Sequence, residues 1–236
     1  MKRHPAVATF HGHTFIPRLL SRSSVVVDLG GNLGEFSSGM AASFGCTCYI
    51  VEPMPELFAR IPEGPRLHKF NVAVASRNQT LTFHTSGDIT AGSLTRRDGV
   101  AQHEIQVEGI MLDDFIKRHN IQRVDLLKVD IEGTERELFA SLSESTLRSV
   151  RQITIEFHDF IPEVMGREDV AIIHERLKKA GFRCLPWKMR SNMDTLFVRR
   201  ELMSLPSYLW VKYVLRPVSK AASRLPLQRL GSRRPA

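Results

Sequence analysis

Residues 25–37 read VVVDLGGNLGEFS, and this stretch constrains the fold more strongly than any other part of the chain. An apolar, β-branched run predicts a buried strand, glycines follow at 30, 31 and 34, and a helical pattern begins near Leu33. Glycine permits a tight turn and lets a ligand approach the backbone closely. The first N–H groups of a helix are free to meet such a ligand. The order of strand, glycine-rich turn and helix therefore predicts a ligand-binding α/β fold.

Apolar runs and helical patterns alternate from Val25 onward, which predicts parallel strands joined by right-handed crossovers. The predicted strands are 25–29, 46–52, 67–75, 124–130 and 151–158, and the predicted helices are 33–44, 112–119, 134–142 and 168–180. Segments 79–85 and 103–109 alternate like a half-exposed antiparallel ribbon, and 181–187 with 193–200 resemble a closing strand pair. We therefore predict an α/β protein with a doubly wound, mostly parallel sheet and a closing antiparallel strand pair.

The charge is concentrated at the C-terminal end of the 236-residue chain. Residues 1–198 carry as many acidic as basic side chains, whereas 199–236 carry nine Lys and Arg against the single acid Glu201, which accounts for the net charge of +8. The basic pI is thus a property of the tail and does not indicate a nucleic-acid-binding body. We predict an N-terminal segment (1–22), one folded domain (23–200) and a basic C-terminal extension (201–236).

The composition favours a cytoplasmic protein. Hydrophobic residues make up 42% of the chain, no apolar run reaches the 18 or so residues of a membrane span, and the N-terminus lacks the apolar middle section of a secretory signal. The three cysteines are an odd number, which fits a reducing compartment.

Two acidic residues end neighbouring predicted strands. Asp28 precedes glycines spaced as D-x-G-x-N-x-G, whereas dinucleotide-binding folds, the obvious rival, use G-x-G-x-x-G. Asp28 would repel a pyrophosphate but suits the ammonium group of an amino-acid-type cofactor. Glu52 ends the next strand and is placed to accept hydrogen bonds from ribose hydroxyls. A turn that binds no ligand remains the alternative, because glycine-rich turns alone are weak signals.

The chain resembles the FkbM family of S-adenosylmethionine-dependent methyltransferases. The matching pieces are VVVDLGGNLGEFS, YIVEPMPELF, NVAVAS, AGSLT, VDLLKVDIEGTERELF and ITIEFHD, in that order over roughly 25–200. The resemblance implies a class I, Rossmann-like methyltransferase fold and O-methylation of sugar or polyketide hydroxyls. It also implies the following cofactor contacts: Asp28, Gly30, Asn32 and Gly34 at the methionine end, Glu52 at the ribose, Asn71 and Ala73 near the adenine, and Ser93 closing over the cofactor.

Polar side chains also end the fourth and fifth main strands, as KVDIEG and IEFHD. Ligands of open α/β sheets bind beyond the carboxyl ends of the strands, so we expect Asp130, Glu132, Glu156 and His158 to form the catalytic site. His158 shares a strand face with Glu156 and is expected to be the general base, because histidine titrates near neutrality. Glu132 and Glu156 are expected to orient it or to hold acceptor hydroxyls. A purely structural His158 is the alternative.

Other charged groups receive more ordinary interpretations. Glu135, Arg136 and Glu137 begin a helix and are expected to be solvated or capping charges. Asp130 and Asp159 sit where certain methyltransferases hold magnesium, so magnesium is a candidate cofactor, but no metal ligand is assigned. The HGH triplet at 11–13 is expected to form a loop without metal, because no third ligand lies nearby in the sequence.

The segment YLWVKYVL and the basic residues after it allow two interpretations: a helix docked on the domain, or peripheral contact with anionic lipid at the inner membrane surface. The predicted function is an S-adenosylmethionine-dependent O-methyltransferase acting on a hydroxyl of a saccharide, glycolipid or related secondary metabolite. The alternatives are an RNA or protein methyltransferase guided by the tail, and a non-catalytic cofactor-binding or membrane-associated protein. The expected partner is a small-molecule or glycan acceptor, with no specific nucleic acid.

Overall fold

The computed structural model of the chain describes residues 6–86, 92–93, 102–161, 164–186 and 193–215. The strands are β1 (Ala8–Phe10), β2 (His13–Phe15), β3 (Val25–Leu29), β4 (Thr47–Val51), β5 (Leu67–Phe70), β6 (Ala73–Val74), β7 (Gln79–Ser86), β8 (Gly92–Ser93), β9 (Gln102–Ile110), β10 (Leu126–Val129), β11 (Gln152–Ile155), β12 (Phe182–Pro186) and β13 (Thr195–Arg199). The α-helices are α1 (Glu35–Phe44), α2 (Pro55–Arg60), α3 (Leu112–Arg118), α4 (Glu135–Ser141), α5 (Glu144–Ser149), α6 (Arg167–Lys179) and α7 (Leu205–Trp210).

A seven-stranded sheet forms the centre of the described structure, in the order β12-β13-β11-β10-β3-β4-β5. The five strands from β11 to β5 are parallel to one another. At the other edge, β13 pairs antiparallel with β11, and β12 pairs antiparallel with β13. Alternate residues of each strand point to opposite faces of the sheet, and helices pack on both faces. Val26 and Phe36 of α1 belong to one apolar cluster, and Val27 and Phe115 of α3 belong to another. The predicted α/β class, with its parallel sheet and closing strand pair, is confirmed.

The predicted strand 67–75 is wrong as a single strand. The chain leaves the main sheet after Phe70, and the exposed Asn71 donates hydrogen bonds from Nδ2 to the carbonyl oxygens of Glu52 and Pro53, each at 2.9 Å. Its continuation, β6, joins a second sheet in the order β6-β9-β7-β8. In that sheet β7 and β9 pair antiparallel, which confirms the predicted ribbon.

The predicted strand 151–158 is also too long, because β11 ends at Ile155. The N–H of Glu156 still bonds to the carbonyl of Val129 at 3.0 Å, and the chain then turns, with the N–H of Ile161 bonding to the carbonyl of His158 at 3.0 Å. His158 therefore lies in a turn beyond the strand. The inference that it shares a strand face with Glu156 was wrong, since strand periodicity does not extend to that position.

Both flanks of the predicted domain pack into its core. The hairpin β1–β2 is held by Thr14, whose N–H and Oγ1 donate to the two carboxylate oxygens of Asp194 at 2.9 and 2.6 Å. At the other end, α7 leads into a π-helical turn at 211–215, and Val211 is buried in one apolar cluster with Leu196 and Val198. Residues 205–215 thus dock on the domain, as one of the two interpretations of this segment predicted. No helix in the described ranges combines the length and apolar character needed to cross a bilayer.

Candidate active site

The glycine-rich turn after β3 lies directly against the turn after β10. Gly30 has φ +77°, and a Cβ there would sit 1.8 Å from the carbonyl oxygen of Asp130, so no larger residue fits. The N–H groups of Gly30 and Gly31 both bond to the carbonyl of Val51 at 3.0 Å. These contacts bring the carboxyl ends of β3, β4 and β10 together at one edge of the sheet, where the fold class predicts a ligand site.

A cleft opens at this edge, with an empty volume of about 720 Å³ that includes space open to solvent. Its lining comprises Gly30, Asn32, Val51, Glu52, Pro53, Met54, Leu57, Ala73, Val74, Phe83, Asp130, Ile131, Glu132 and Thr134. Four of the predicted cofactor residues are among them, namely Gly30, Asn32, Glu52 and Ala73, together with two predicted catalytic acids.

The other predicted cofactor residues are placed differently. Gly34 precedes α1 with φ +75°, and Asn71 bridges two backbone carbonyls beside the cleft. Ser93 lies in the short strand β8, but its side chain and residues 94–101 fall outside the described part of the chain. Contacts of these three residues with the cofactor stay predictions.

Glu52 presents an anchored carboxyl group to the cleft. Oε2 accepts a hydrogen bond from the N–H of Asn32 at 2.7 Å, and Oε1 accepts one from the N–H of Met54 at 2.9 Å. Burial raises the pKa of Glu52 to about 7, although both amides favour the charged form. Each carboxyl oxygen can accept a second hydrogen bond, so Glu52 can still bind a ligand hydroxyl.

Asp28 is fully buried and bonds within the protein. Its side chain points to the α1 face of the sheet, where Oδ2 accepts from Ser37 Oγ at 2.7 Å and Oδ1 lies 3.0 Å from Lys128 Nζ. The ion pair follows from the register, since Asp28 and Lys128 are partners in the β3–β10 ladder. Asp28 is not among the residues lining the cleft, so its predicted contact with a ligand ammonium stays a prediction.

Lys128 joins the ion pair to the glycine turn and to Asp130. Its Nζ lies 2.5 Å from the Gly30 carbonyl oxygen and 3.7 Å from Asp130 Oδ2. Burial alone would lower the pKa of Lys128, but the carboxylates of Asp28 and Asp130 outweigh it and raise the pKa. A buried, charged ammonium therefore stands beside the reaction centre.

Asp130 lies between two buried histidines. His13 Nε2 is 3.7 Å from Oδ2, and His158 Nε2 is 3.8 Å from Oδ1. Burial would raise the pKa of Asp130, but the interaction with His13 and the charge of Lys128 outweigh it and lower the pKa to about 2. Asp130 thus stays ionised throughout the physiological range.

His13 was missed by the sequence analysis, which assigned the HGH triplet to a loop. His11 and Gly12 form the turn of the β1–β2 hairpin, with φ +43° and +82°, and His13 begins β2. Two consecutive positive φ angles are typical of a type I′ turn, the usual connection of a two-residue hairpin. The glycine between His11 and His13 was the available signal of a turn, but His13 approaches Asp130 only in the folded chain.

His158 is held from behind by Glu135. Its Nδ1 lies 2.9 Å from Glu135 Oε1, which also accepts from the N–H of Gly133 at 3.2 Å. Its Nε2 faces Glu132 Oε2 at 3.4 Å. Burial lowers the pKa of His158, but the hydrogen bond and charge of Glu135 outweigh burial and raise it to about 9.

The expectation that Glu135 is a solvated or capping charge was wrong. Glu135 is fully buried at the start of α4, because the preceding turn folds its side chain back onto His158. In that turn Glu132 has φ +53° and Gly133 has φ +100°, which directs Glu132 into the cleft. Burial is the main cause that raises the pKa of Glu132.

A second pocket adjoins the cleft, with an empty volume of about 440 Å³ that also includes space open to solvent; by this measure it is the smaller pocket. Its lining comprises His11, His13, Gly30, Gly31, Asn32, Leu33, Glu35, Phe36, Lys128 and Asp130. Gly30, Asn32 and Asp130 line both spaces. The two spaces therefore meet at Asp130.

Two groups of side chains in the described residues have the geometry to hold a metal ion. One is His13, Asp130 and Glu156, the other is Asp130, Glu132 and His158, and in each the ligand atoms lie within 4.8 Å of one another. Asp159, proposed from the sequence to act with Asp130, belongs to neither group. The ammonium of Lys128 opposes a second cation at Asp130. Magnesium binding stays a prediction.

Comparison with known proteins assigns the chain to a family. The profile described as the methyltransferase FkbM domain matches residues 28–184. Methyltransferase 1 of Beauveria bassiana is 28% identical over 67% of this chain and 72% of its own length. The 2-O-methyltransferase NoeI of Sinorhizobium fredii is 27% identical over 62% and 69%, and the 31-O-demethyl-FK506 methyltransferase FkbM of Streptomyces tacrolimicus is 26% identical over 78% and 80%. The chain therefore belongs to the FkbM methyltransferase family and is an S-adenosylmethionine-dependent methyltransferase.

Proposed function

We propose that this enzyme methylates a hydroxyl group of a saccharide, glycolipid or related secondary metabolite. The names of the relatives from Sinorhizobium fredii and Streptomyces tacrolimicus both specify an oxygen acceptor. Methylation of a hydroxyl requires a group that takes up its proton. The observation that carries the proposal is the cluster of Asp130, Glu132 and His158, in which Asp130 lines both adjoining pockets and Glu132 lines the cleft.

The larger cleft suits S-adenosylmethionine, which supplies an electrophilic methyl group carried on a sulfonium. Leu57, Val74 and Phe83 offer apolar surface for the adenine, and Glu52 accepts hydrogen bonds from the ribose hydroxyls. The close backbone approach at Gly30 suits the methionine end, because a larger residue would collide with the Asp130 carbonyl.

Asp28 acts in this proposal through other residues. Its carboxylate fixes Lys128, whose ammonium bonds to the Gly30 carbonyl and faces Asp130. Asp28 therefore sets the shape of the turn beneath the methionine end. Direct contact with a ligand ammonium would require Asp28 to exchange Ser37 or Lys128 for the ligand.

The acceptor occupies the smaller pocket, with its hydroxyl directed to the junction. Glu132 lines the cleft and takes the hydroxyl proton, and His158 Nε2, 3.4 Å from Glu132 Oε2, takes the proton on. Held in the cleft, S-adenosylmethionine would supply the methyl group to the acceptor oxygen, with its sulfur as the leaving group.

His158 must be neutral to receive the proton. In the free protein its raised pKa favours the charged form at neutral pH. The sulfonium of S-adenosylmethionine carries a positive charge. Bound beside Asp130 and Glu132, that charge would lower the pKa of His158 by repulsion and prepare the imidazole to accept a proton.

Turnover assays with isotopically labelled S-adenosylmethionine test the proposal. Saccharides, glycolipid extracts, RNA and protein are offered as separate acceptors, and products are identified by mass spectrometry. We expect label in an acid-stable methyl ether, and turnover reduced on the order of 10²-fold in His158→Ala with cofactor affinity nearly intact. Glu137→Gln, which removes an exposed charge from α4, serves as the control. Label confined to RNA or protein would overturn the proposal.

A further inference from the structure

The outward face of residues 205–215 is apolar. Of the large hydrophobic side chains that are exposed in the described residues, five belong to this segment: Leu205 (54% exposed), Leu209 (42%), Trp210 (49%), Tyr213 (64%) and Val214 (47%). Their spacing of four and five places them on one side of the helix. These five side chains form the outer face of the segment.

The inner face of the same segment is already bound to the domain. Val211 is 2% exposed and packs in the apolar cluster with Leu196. Tyr208 donates from its hydroxyl to the carbonyl of Cys184 at 3.1 Å and accepts from Lys212 Nζ at 3.1 Å. Arg183 stacks on the Tyr208 ring at 5.7 Å. The helix is therefore fixed in place, and the outer face is not needed to close the core.

The charged residues that follow the outer face in the sequence are all basic. After Glu201 the sequence contains no acidic residue, and the last 21 residues carry Arg216, Lys220, Arg224, Arg229, Arg233 and Arg234. An uninterrupted positive charge complements a uniformly anionic surface. Tryptophan and tyrosine are enriched at the boundary between lipid headgroups and acyl chains. Eleven residues are too few to span a bilayer, so a segment of this kind lies in the plane of the interface.

We propose that the outer face docks onto a bilayer containing anionic lipid, with the basic residues that follow it binding the headgroups. The proposal does not depend on the identity of the methyl acceptor. It assigns the apolar contribution to the outer face and the salt-sensitive contribution to residues 216–236.

Sedimentation with vesicles of phosphatidylglycerol and phosphatidylcholine tests the proposal, with pure phosphatidylcholine vesicles for comparison. We expect the full chain to sediment with the anionic vesicles at low salt and to bind them at least tenfold less tightly in 0.5 M salt. The double variant Leu209→Ser/Trp210→Ser should also lose at least tenfold in affinity. Ile172→Ser, at an exposed apolar position of α6, should bind as the parent does. Cofactor affinity and the thermal unfolding temperature should be unchanged in all variants, which shows that the fold is intact.

Fluorescence gives an independent measurement, because the chain has two tryptophans. In Trp187→Phe the remaining emission comes from Trp210, which should shift to shorter wavelength on anionic vesicles and be quenched by brominated acyl chains. The proposal is overturned if Trp210 emission does not respond, or if the double variant binds vesicles like its parent. Self-association through the outer face is the other outcome that overturns the proposal. It would appear as a particle mass in solution that falls in the double variant, together with vesicles that bind no protein.

Discussion

Glu135 sets the pH range in which His158 can accept a proton, and replacing Glu135 with glutamine tests this. Glutamine retains an oxygen facing His158 Nδ1 and the Gly133 N–H, but it removes the buried charge. The rise in the pKa of His158 from 6.5 to about 9 corresponds to an energy on the order of 3 kcal/mol. Glu132 and Asp130 also raise this pKa and remain in the variant, so we expect it to fall by roughly 1–2 pH units.

The sign of the effect on activity follows from the role of His158. Only the neutral imidazole accepts a proton, so kcat/KM should rise with pH as His158 deprotonates and level off above its pKa. In Glu135→Gln this rise should occur roughly 1–2 pH units lower, and an NMR titration of the His158 imidazole should move by the same amount. Glu137→Gln, an exposed position of the same helix, should leave both curves unchanged. A lowered NMR pKa with an unchanged activity profile would refute proton uptake by His158. An unchanged NMR pKa would refute the role given to Glu135.

Three further predictions concern the ligands. Glu52→Ala should weaken S-adenosylmethionine binding about ten- to a hundredfold, because a charge-assisted hydrogen bond contributes roughly 1.5–3 kcal/mol; equal affinity by calorimetry would remove Glu52 from the site. His13→Gln should raise the KM for the acceptor several-fold while cofactor affinity stays constant, since His13 lines the smaller pocket and not the larger cleft. A change confined to cofactor affinity would contradict the division between the two pockets. Treatment with a chelator should leave turnover unchanged, because Lys128 already compensates Asp130; loss of activity that magnesium restores would instead establish a metal at Asp130.

The edge of the sheet that carries the site could be predicted from the sequence, because the carboxyl ends of parallel strands meet there. Glu52, Asp130 and Glu132 were found in this way, and all three line the cleft. For Asp28 the sequence predicted only part of the arrangement. Its position at a strand end was correct, but the sequence does not reveal which face of the sheet it points to or that the β3–β10 register pairs it with Lys128.

Glu135 was misassigned for a related reason. Acidic residues at the start of a helix are usually exposed and interact with the helix dipole. Its burial depends on the turn before α4, where a Cβ at Gly133 would lie 1.8 Å from Val164 Cγ1. That contact brings residues far apart in the sequence together, so local pattern does not encode it.

The two pockets differ in how much of their lining falls within the family profile. The profile begins at Asp28, and every described residue that lines the larger cleft lies inside the matched range. The smaller pocket also takes His11 and His13 from the N-terminal hairpin, which precedes that range. A shared methyl donor requires a shared cleft, whereas different acceptors require different contacts. In the function proposed here, the hairpin is therefore the part of the structure through which this chain can select its acceptor without altering the residues that bind the donor.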